Sequence, residues 1–467
     1  MDVSAQPELV SEVRPPEAPN PEVDLLVINA GELVTMAGGP RKGARLRDVG
    51  AVPNGALAAH QGMIVDVGTT EELLARVQTG PSTRIIDARG RAVIPGFVDP
   101  HTHLCFAGDR ADEFAMRLQG ATYAEIARAG GGIQATVRAT REAACSDLVE
   151  LGLKRLDLLA LAGTTTVEIK SGYGLTAVDE VKQLTAIREM AARHHLDIVP
   201  TFMGAHEFPP EYRQDREAYV DLICEEMLPL AAPTPEQADA GLISLLERAV
   251  GHMLPHERPL AIFCDVFAEA GVFTAEQSRR ILQAAKRVGL RPKVHADELS
   301  DLGGASLAAE VGAISADHLL FASERGLAAM AKAGTVAVCL PGTAFSLMDV
   351  PYANARRMIE LGCTVALGSD FNPGSCPAYA MPFIITLACM HMRMDPSEAL
   401  AAATINAAAA IGLEGRVGSL EIGKQADFVI LDVPGHQHIP YRMGQGVVAC
   451  VIKRGRLLVE EGRLLRR

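Results

Sequence analysis

The chain has no run of about 18 apolar residues, so no stretch is long enough to cross a bilayer as a helix. Its opening, MDVSAQPELVSEVRPPEAPNPEVD, lacks the basic stretch and apolar block of a secretory signal. Positive charge is not in surplus: 44 Lys and Arg stand against 57 Asp and Glu, for a net charge of −13. Such a protein is repelled by nucleic-acid phosphates and anionic lipid, which argues against both as partners. No two of the nine cysteines have CxxC spacing. Several lie in apolar runs such as AVCLPG and AIFCDVF, where a free thiol packs as a small hydrophobe. These absences point to the cytoplasm. What is present is the composition of a globular protein, 48% hydrophobic and 22% charged. At 467 residues it exceeds one modest core, so one large domain plus a smaller one is expected.

Residues 1–23, rich in Pro and Glu without apolar periodicity, read as a disordered leader. Short β-type runs follow, DLLVINAGELVTM, GALAAHQGMIVDVG and TRIIDARGRAV, and the pattern returns near the end in ADFVILDV, GVVACVIKRG and RLLVEEGRLL. Segments 24–91 and 418–467 are therefore expected to build one small β-sandwich domain together. Between them, over 92–417, eight apolar β-branched runs alternate with helical stretches: AVIPGFVD, TTTVEIK, DIVPTFMG, LAIFCDVF, RPKVHA, GAISADH, GTVAVCL and CTVALGSD. Eight such units predict a (β/α)8 TIM barrel, with the stretch 231–258 as an insertion between its third and fourth strands.

Chemistry-bearing residues follow the predicted strands. The first runs into His101 and His103, the second into Lys170, Ser171 and Tyr173, and the third into His206. The fifth ends at His295 with Glu298 nearby, the sixth at Asp317 and His318, the eighth at Asp370 and Asn372. In a barrel those ends share one face, which carries the chemistry. Residues i and i+2 of a strand point the same way, so His101 and His103 can reach one cation. His295 adds a third imidazole and Asp370 a carboxylate, a donor set suited to one Zn2+ or Fe ion per chain rather than Ca2+ or Mg2+.

Long blocks now carry a resemblance: PGFVDPHTHLCFAGDR, RLQGATYAEIARAGGGIQATVRATR, TTTVEIKSGYGL, GAHEFPPEY, KVHADELSDLGGASLA, SADHL, LPGTAF and SDFNPGS. From about residue 24 to its end the chain resembles the amidohydrolase superfamily and, within it, the imidazolonepropionase family. The resemblance implies a mononuclear hydrolase, usually a homodimer. Its reaction would be the opening of 4-imidazolone-5-propanoate to N-formimino-L-glutamate by attack of metal-generated hydroxide on the ring carbonyl. Another amidohydrolase, hydrolysing a different cyclic amide or deaminating a heterocycle, would share the histidines and aspartate but needs no carboxylate-gripping arginine. A non-catalytic relative would not need every candidate catalytic group. Ser369, Cys105 and Glu207 depart from the family's usual residues without removing a donor.

The implied substrate carries a propionate arm, and an acidic protein must hold it with a local cation. Arg110, seven residues past His103, is placed to do so. Tyr123, on the predicted helix ATYAEIARA, reads either as packing or as a further substrate contact. The resemblance assigns Tyr173 and His206 to the ring and carboxylate, and Asn372, Gly374 and Ser375 to the far end of the substrate. It leaves His318 to polarise the carbonyl, Asp370 to take the water proton, and Glu298 to position water or serve the departing nitrogen. Lys170 is not expected to be the carboxylated bridge of binuclear relatives, and Asp265 and Glu269 are expected to be structural. The triple glycine at 130–132 follows a helix and is not succeeded by GK[ST], so it reads as a rim loop rather than a phosphate loop.

Overall fold

The structure, a computed structural model, describes residues 22–121, 125–126, 130–232, 260–348 and 350–465. The leader up to residue 21, nearly all of the 231–258 stretch, and Tyr123 lie outside the described residues. No helix among the described residues is long and apolar enough to cross a membrane.

The chain begins with β1 (Glu22–Val34), β2 (Ala51–His60), β3 (Met63–Thr69), β4 (Gln78–Asp87) and β5 (Val93–Pro95). Eight strands then follow: β6 (Phe97–Asp99), β7 (Thr164–Lys170), β8 (Asp197–Ala205), β9 (Phe263–Ala268), β10 (Arg291–Ala296), β11 (Ser315–His318), β12 (Val336–Cys339) and β13 (Val365–Leu367). These pair in chain order, every neighbour parallel. Helices such as Ala177–Arg193 and Ala275–Arg287 return the chain between them. The second of these starts on a capping box, Thr274 with Gln277, which satisfies orphan N–H groups at its first turn. The expected TIM barrel is therefore present, with all eight predicted strands in place.

The barrel closes in an unusual register. β6 and β13 do not pair along their own length; a parallel bridge joins Thr102 to Phe371, just beyond both. There the Asp370 N–H donates to His101 O at 3.0 Å and the His103 N–H to Phe371 O at 2.9 Å. The Asp99 carboxylate adds to the seam, accepting the Ser369 N–H at 3.0 Å and its hydroxyl at 2.5 Å.

After the barrel, β14 (Phe428–Leu431), β15 (Val448–Lys453), β16 (Arg456–Glu460) and β17 (Arg463–Leu464) rejoin the N-terminal strands. The two ends meet as expected, in one continuous mixed sheet of nine strands ordered β17-β16-β15-β14-β5-β1-β2-β3, with β4 beside β1. One apolar core unites both ends, with Leu25, Val27, Leu33, Leu57, Phe428, Ile430 and Ile452. β1 starts at Glu22, slightly ahead of the expected boundary. Lys453 ties this sheet to the start of β8, its ammonium 2.8 Å from Asp197 Oδ2 and 2.6 Å from Asp427 Oδ2.

The run AVIPGFVD, read as one strand, is two. Val93–Pro95 pairs with β1 and β14 of the terminal sheet, whereas Phe97–Asp99 belongs to the barrel. Gly96 is the pivot because its Cα passes against Thr165: a Cβ there would lie 2.3 Å from Oγ1 and 2.4 Å from Cγ2. Gly96→Ala should therefore destabilise the protein by about 1–3 kcal/mol through overpacking. Thr165→Ala, made in the same chain, should recover much of that loss; strictly additive effects in denaturant unfolding would show that the contact is not what requires glycine.

Candidate active site

The strand ends bring the predicted donors together. The Nε2 of His101 lies 3.5 Å from Asp370 Oδ1, and the Nε2 of His103 lies 3.6 Å from the same oxygen. The Nε2 atoms of His103 and His295 are 3.3 Å apart. All four residues are buried. Two overlapping groups have ligand atoms close enough for one ion: His101, His103 and Asp370, and His101, His295 and His318. His318 therefore competes geometrically for a place in the set.

The chemistry of the set fits a borderline cation. Burial, then surrounding cationic groups, holds the imidazoles of His101, His103 and His318 well below the usual histidine range, so each is neutral and offers a lone pair. Buried and unpartnered within the protein, the Nε2 of His101 is a polar atom that needs a ligand. Its other nitrogen faces Asp317 Oδ2 at 2.6 Å, and the Nδ1 of His295 faces Asp265 Oδ1 at 3.0 Å. A carboxylate behind an imidazole fixes its tautomer and makes it a better donor. The Asp370 carboxyl, whose Oδ2 accepts the Thr343 hydroxyl at 2.5 Å, is pushed up to about 6 by burial, against the opposing pull of that hydrogen bond.

Backbone strain collects at the same place. Asp297, His318, Leu319 and Asp370 all have φ between 51° and 76°. For residues with a side chain this is a costly conformation, maintained because the surrounding structure over-determines it.

The substrate-binding candidates line the rim of the cluster. His206 stacks on His103, ring centroids 4.8 Å apart, and Tyr173 lies 5.4 Å from His206. Burial and the neighbouring His295 hold His206 down to about 3. The turn bearing Tyr173 is built by Glu180, whose carboxylate accepts the N–H groups of Gly172, Gly174 and Leu175 at 2.8–3.1 Å. Arg110 packs over Gly374, where a Cβ would stand 2.0 Å from its Nη1. Its Nε and Nη2 are already engaged by Glu113 at 2.8 and 2.7 Å. Glu113 also accepts the Gly132 N–H at 3.0 Å, tying the glycine-rich turn to the arginine. The Asn372 amide is used within its own loop: Oδ1 accepts the N–H of Gly374 and of Ser375, and Nδ2 donates to Asp370 O. It thus presents Gly374 and Ser375. The Glu298 carboxyl is 3.5 Å from His318 Nε2, and burial, then Asp370 and Glu269, pushes it up to about 8.

Asp265, Asp317, Glu180, Glu113 and Thr343 are supporting residues to which the sequence reading gave no such part. Asp317 carried a signal, since it precedes His318 in the chain and pairs with His295 in register, whereas Asp265 stands opposite Lys293 and carried none. Glu269 holds the segment after β10, accepting the Leu299 N–H at 2.8 Å and a hydroxyl from Ser300. Lys170 Nζ donates to Glu168 and Asp265 at 2.7 and 2.8 Å, two carboxylates that suit an ammonium.

Comparison with known proteins gives the family. Family models described as "Amidohydrolase family" match residues 265–458 and 84–143. An imidazolonepropionase of Symbiobacterium thermophilum is 69% identical over 445 residues, covering 95% of this chain and 99% of that protein. One from Alkaliphilus metalliredigens is 46% identical, over 95% and 100%. The chain belongs to the imidazolonepropionase family. It is a hydrolase acting on a C–N bond of a cyclic amide, in a superfamily that depends on metal. Solved structures extend the fold comparison: a zinc-bound adenosine deaminase of Xanthomonas campestris (TM-score 0.65, 18% identity, 96% of each chain) and E. coli guanine deaminase (TM-score 0.67, 16% identity, 93% and 99%). At that identity the likeness concerns the fold alone.

Within the imidazolonepropionase fold, substitution separates the two overlapping donor groups. His101→Ala and His295→Ala should fold and hold little metal by elemental analysis. His318→Ala should keep about one ion per chain if it stands outside the donor set, and its loss of metal would move it inside.

Proposed function

We propose that this site opens the ring of 4-imidazolone-5-propanoate to N-formimino-L-glutamate, with one Zn2+ or Fe ion per chain held by His101, His103, His295 and Asp370. What carries the reading is Arg110 on the rim of that donor cluster, in a chain 69% identical to an imidazolonepropionase. The same reading includes a homodimeric, cytoplasmic enzyme. When bound, the ion lowers the pKa of water and supplies hydroxide near neutral pH.

The chain's own residues do the rest. Asp370, raised toward neutrality by burial, accepts the proton of the attacking water. Neutral His318 donates to the carbonyl oxygen as negative charge develops on it, the oxyanion contribution that an aligned donor makes in a dry site. One ring C–N bond then breaks, and Glu298, beside His318, delivers a proton to the departing nitrogen. Tyr173 and His206 flank the ring. Arg110, with Nε and Nη2 tied to Glu113, directs Nη1 to the propionate. Tyr123, Gly374 and Ser375 complete the substrate contacts in this reading, with Asn372 shaping the loop that presents the last two.

Arg110→Gln should mainly raise KM, because the carboxylate contact exists in ground and transition states alike. Losing a charge-assisted contact should cost about 2–4 kcal/mol, or roughly 30- to 1000-fold in kcat/KM. An uncharged analogue without the propionate should be a poor substrate that loses little more in the variant. Equal losses on both substrates would make Arg110 structural, and a preference for the uncharged heterocycle would favour a deaminase-like reading.

Glu298 gives a pH test. A carboxyl raised by burial keeps its proton through neutrality and loses it as pH climbs through its raised value, so the acid needed by the departing nitrogen disappears on the alkaline side. The wild-type kcat profile should carry that alkaline limb. Glu298→Gln should be slower by about 10²–10⁴-fold and lack it; an unchanged limb in the variant assigns the titration elsewhere.

A further inference from the structure

The mechanism leaves the fully buried Lys170 without a part. Lys170 ends β7 with its Nζ 2.7 Å from Glu168 Oε1, 2.8 Å from Asp265 Oδ2 and 3.8 Å from Asp317 Oδ2. All four side chains are completely buried. Two of these carboxylates each face a histidine of the proposed donor set, Asp317 at His101 and Asp265 at His295. Asp265 divides its oxygens between the two tasks: Oδ2 accepts from Lys170, and Oδ1 lies at His295 Nδ1 and also accepts the His295 N–H at 3.1 Å. Glu168, the third, holds the residue between His101 and His103. Its Oε2 lies 3.4 Å from the Thr102 N–H that donates to it, and its carbonyl accepts the Thr102 hydroxyl at 2.7 Å.

Take the ammonium away and three mutually repelling carboxylates remain in a site closed to bulk solvent, where screening is weak. Asp265 would be free to rotate, and the donor direction of His295 would turn with it. Lys293, the nearest second cation, sits 3.7 Å from Asp317 but spends its hydrogen bonds on Ser315 and two backbone carbonyls, so it does not replace Lys170. A carboxylated Lys170 would add a fourth negative charge to the same cluster.

We propose that Lys170 is a positioning residue: its ammonium fixes the carboxylates that aim His101 and His295, so one side chain sets the convergence of imidazoles from opposite parts of the barrel. The proposal rests on the reading of His101, His103, His295 and Asp370 as metal donors. Its consequence is that the affinity for the ion depends on a residue that never touches it.

The test compares Lys170→Met with the charge-matched pair Lys170→Met/Glu168→Gln, each as the full chain stripped of metal. Zn2+ is titrated against a competing chromophoric chelator, and the absorption spectrum of the Co2+-loaded protein reports donor geometry. Both variants should match the metal-free wild type by circular dichroism, bind Zn2+ about 10- to 100-fold more weakly, as losses of outer-shell partners do, and show a shifted Co2+ spectrum. A Zn2+ Kd within threefold of wild type in either folded variant overturns the proposal. So does failure of both to fold, since Lys170 would then serve the barrel as a whole. His101→Ala is the control: if it binds Zn2+ as tightly as wild type, the donor reading fails and Lys170 is not at fault.

Discussion

Five charged side chains packed out of reach of bulk solvent beneath one end of a barrel are the constraint on which this molecule turns. TIM-barrel interiors are ordinarily layers of branched apolar residues. Here Glu168 and Lys170 on β7, Asp265 on β9, Lys293 on β10 and Asp317 on β11 point inward with no exposure. A buried ion is costly unless its partners are close and well directed. Burial alone would lower the ammonium of Lys170, yet the charges of Asp265, Glu168 and Asp317 outweigh it and hold the group above its usual range. The group contributes orientation more than stability: its carboxylates stand behind His101 and His295, and the imidazoles can face each other only because that support is fixed.

The seam of the barrel belongs to the same arrangement. Backbone hydrogen bonds between His101 and Asp370 and between His103 and Phe371 close the sheet where three proposed donors sit. The last strand is only three residues long, and Asp99 supplies through its side chain the pairing that the backbone omits. Closure and site geometry are therefore one structural event, and the left-handed conformation of Asp370 is maintained by it. On the opposite side, Lys453 between Asp197 and Asp427 anchors the terminal sheet to the foot of β8, away from the chemistry.

The residues proposed to select the substrate form a separate layer on that face. Arg110, Glu113 and the turn at Gly132 form one chain of contacts, and Asn372 shapes the loop that meets Arg110 at Gly374. A donor cluster of this kind does not by itself choose a substrate, since one fold hosts many reactions. The rim, with its cation held in a set orientation, is where a substrate with a propionate arm would be told apart.

The sequence by itself determined the barrel, its eight strands and the order in which His101, His103, His295, His318 and Asp370 reach one face. It could do so because strand periodicity and strand-end position are local properties of the chain. It also determined that the two ends meet, since both carry β-type patterning that neither could bury alone. Only the tertiary structure decided that AVIPGFVD divides at Gly96 between two sheets, because the reason is a contact with Thr165 on another strand. Only it decided that Asn372 spends its amide on its own loop and that Glu113 already occupies two donors of Arg110. The parts of Lys170, Asp265 and Asp317 were decided there too. Lys170 meets Asp265 across 95 residues of chain, and His101 meets Asp317 across 216. No periodicity records such pairings, because each arises only when parallel strands from distant segments turn their side chains into the same interior.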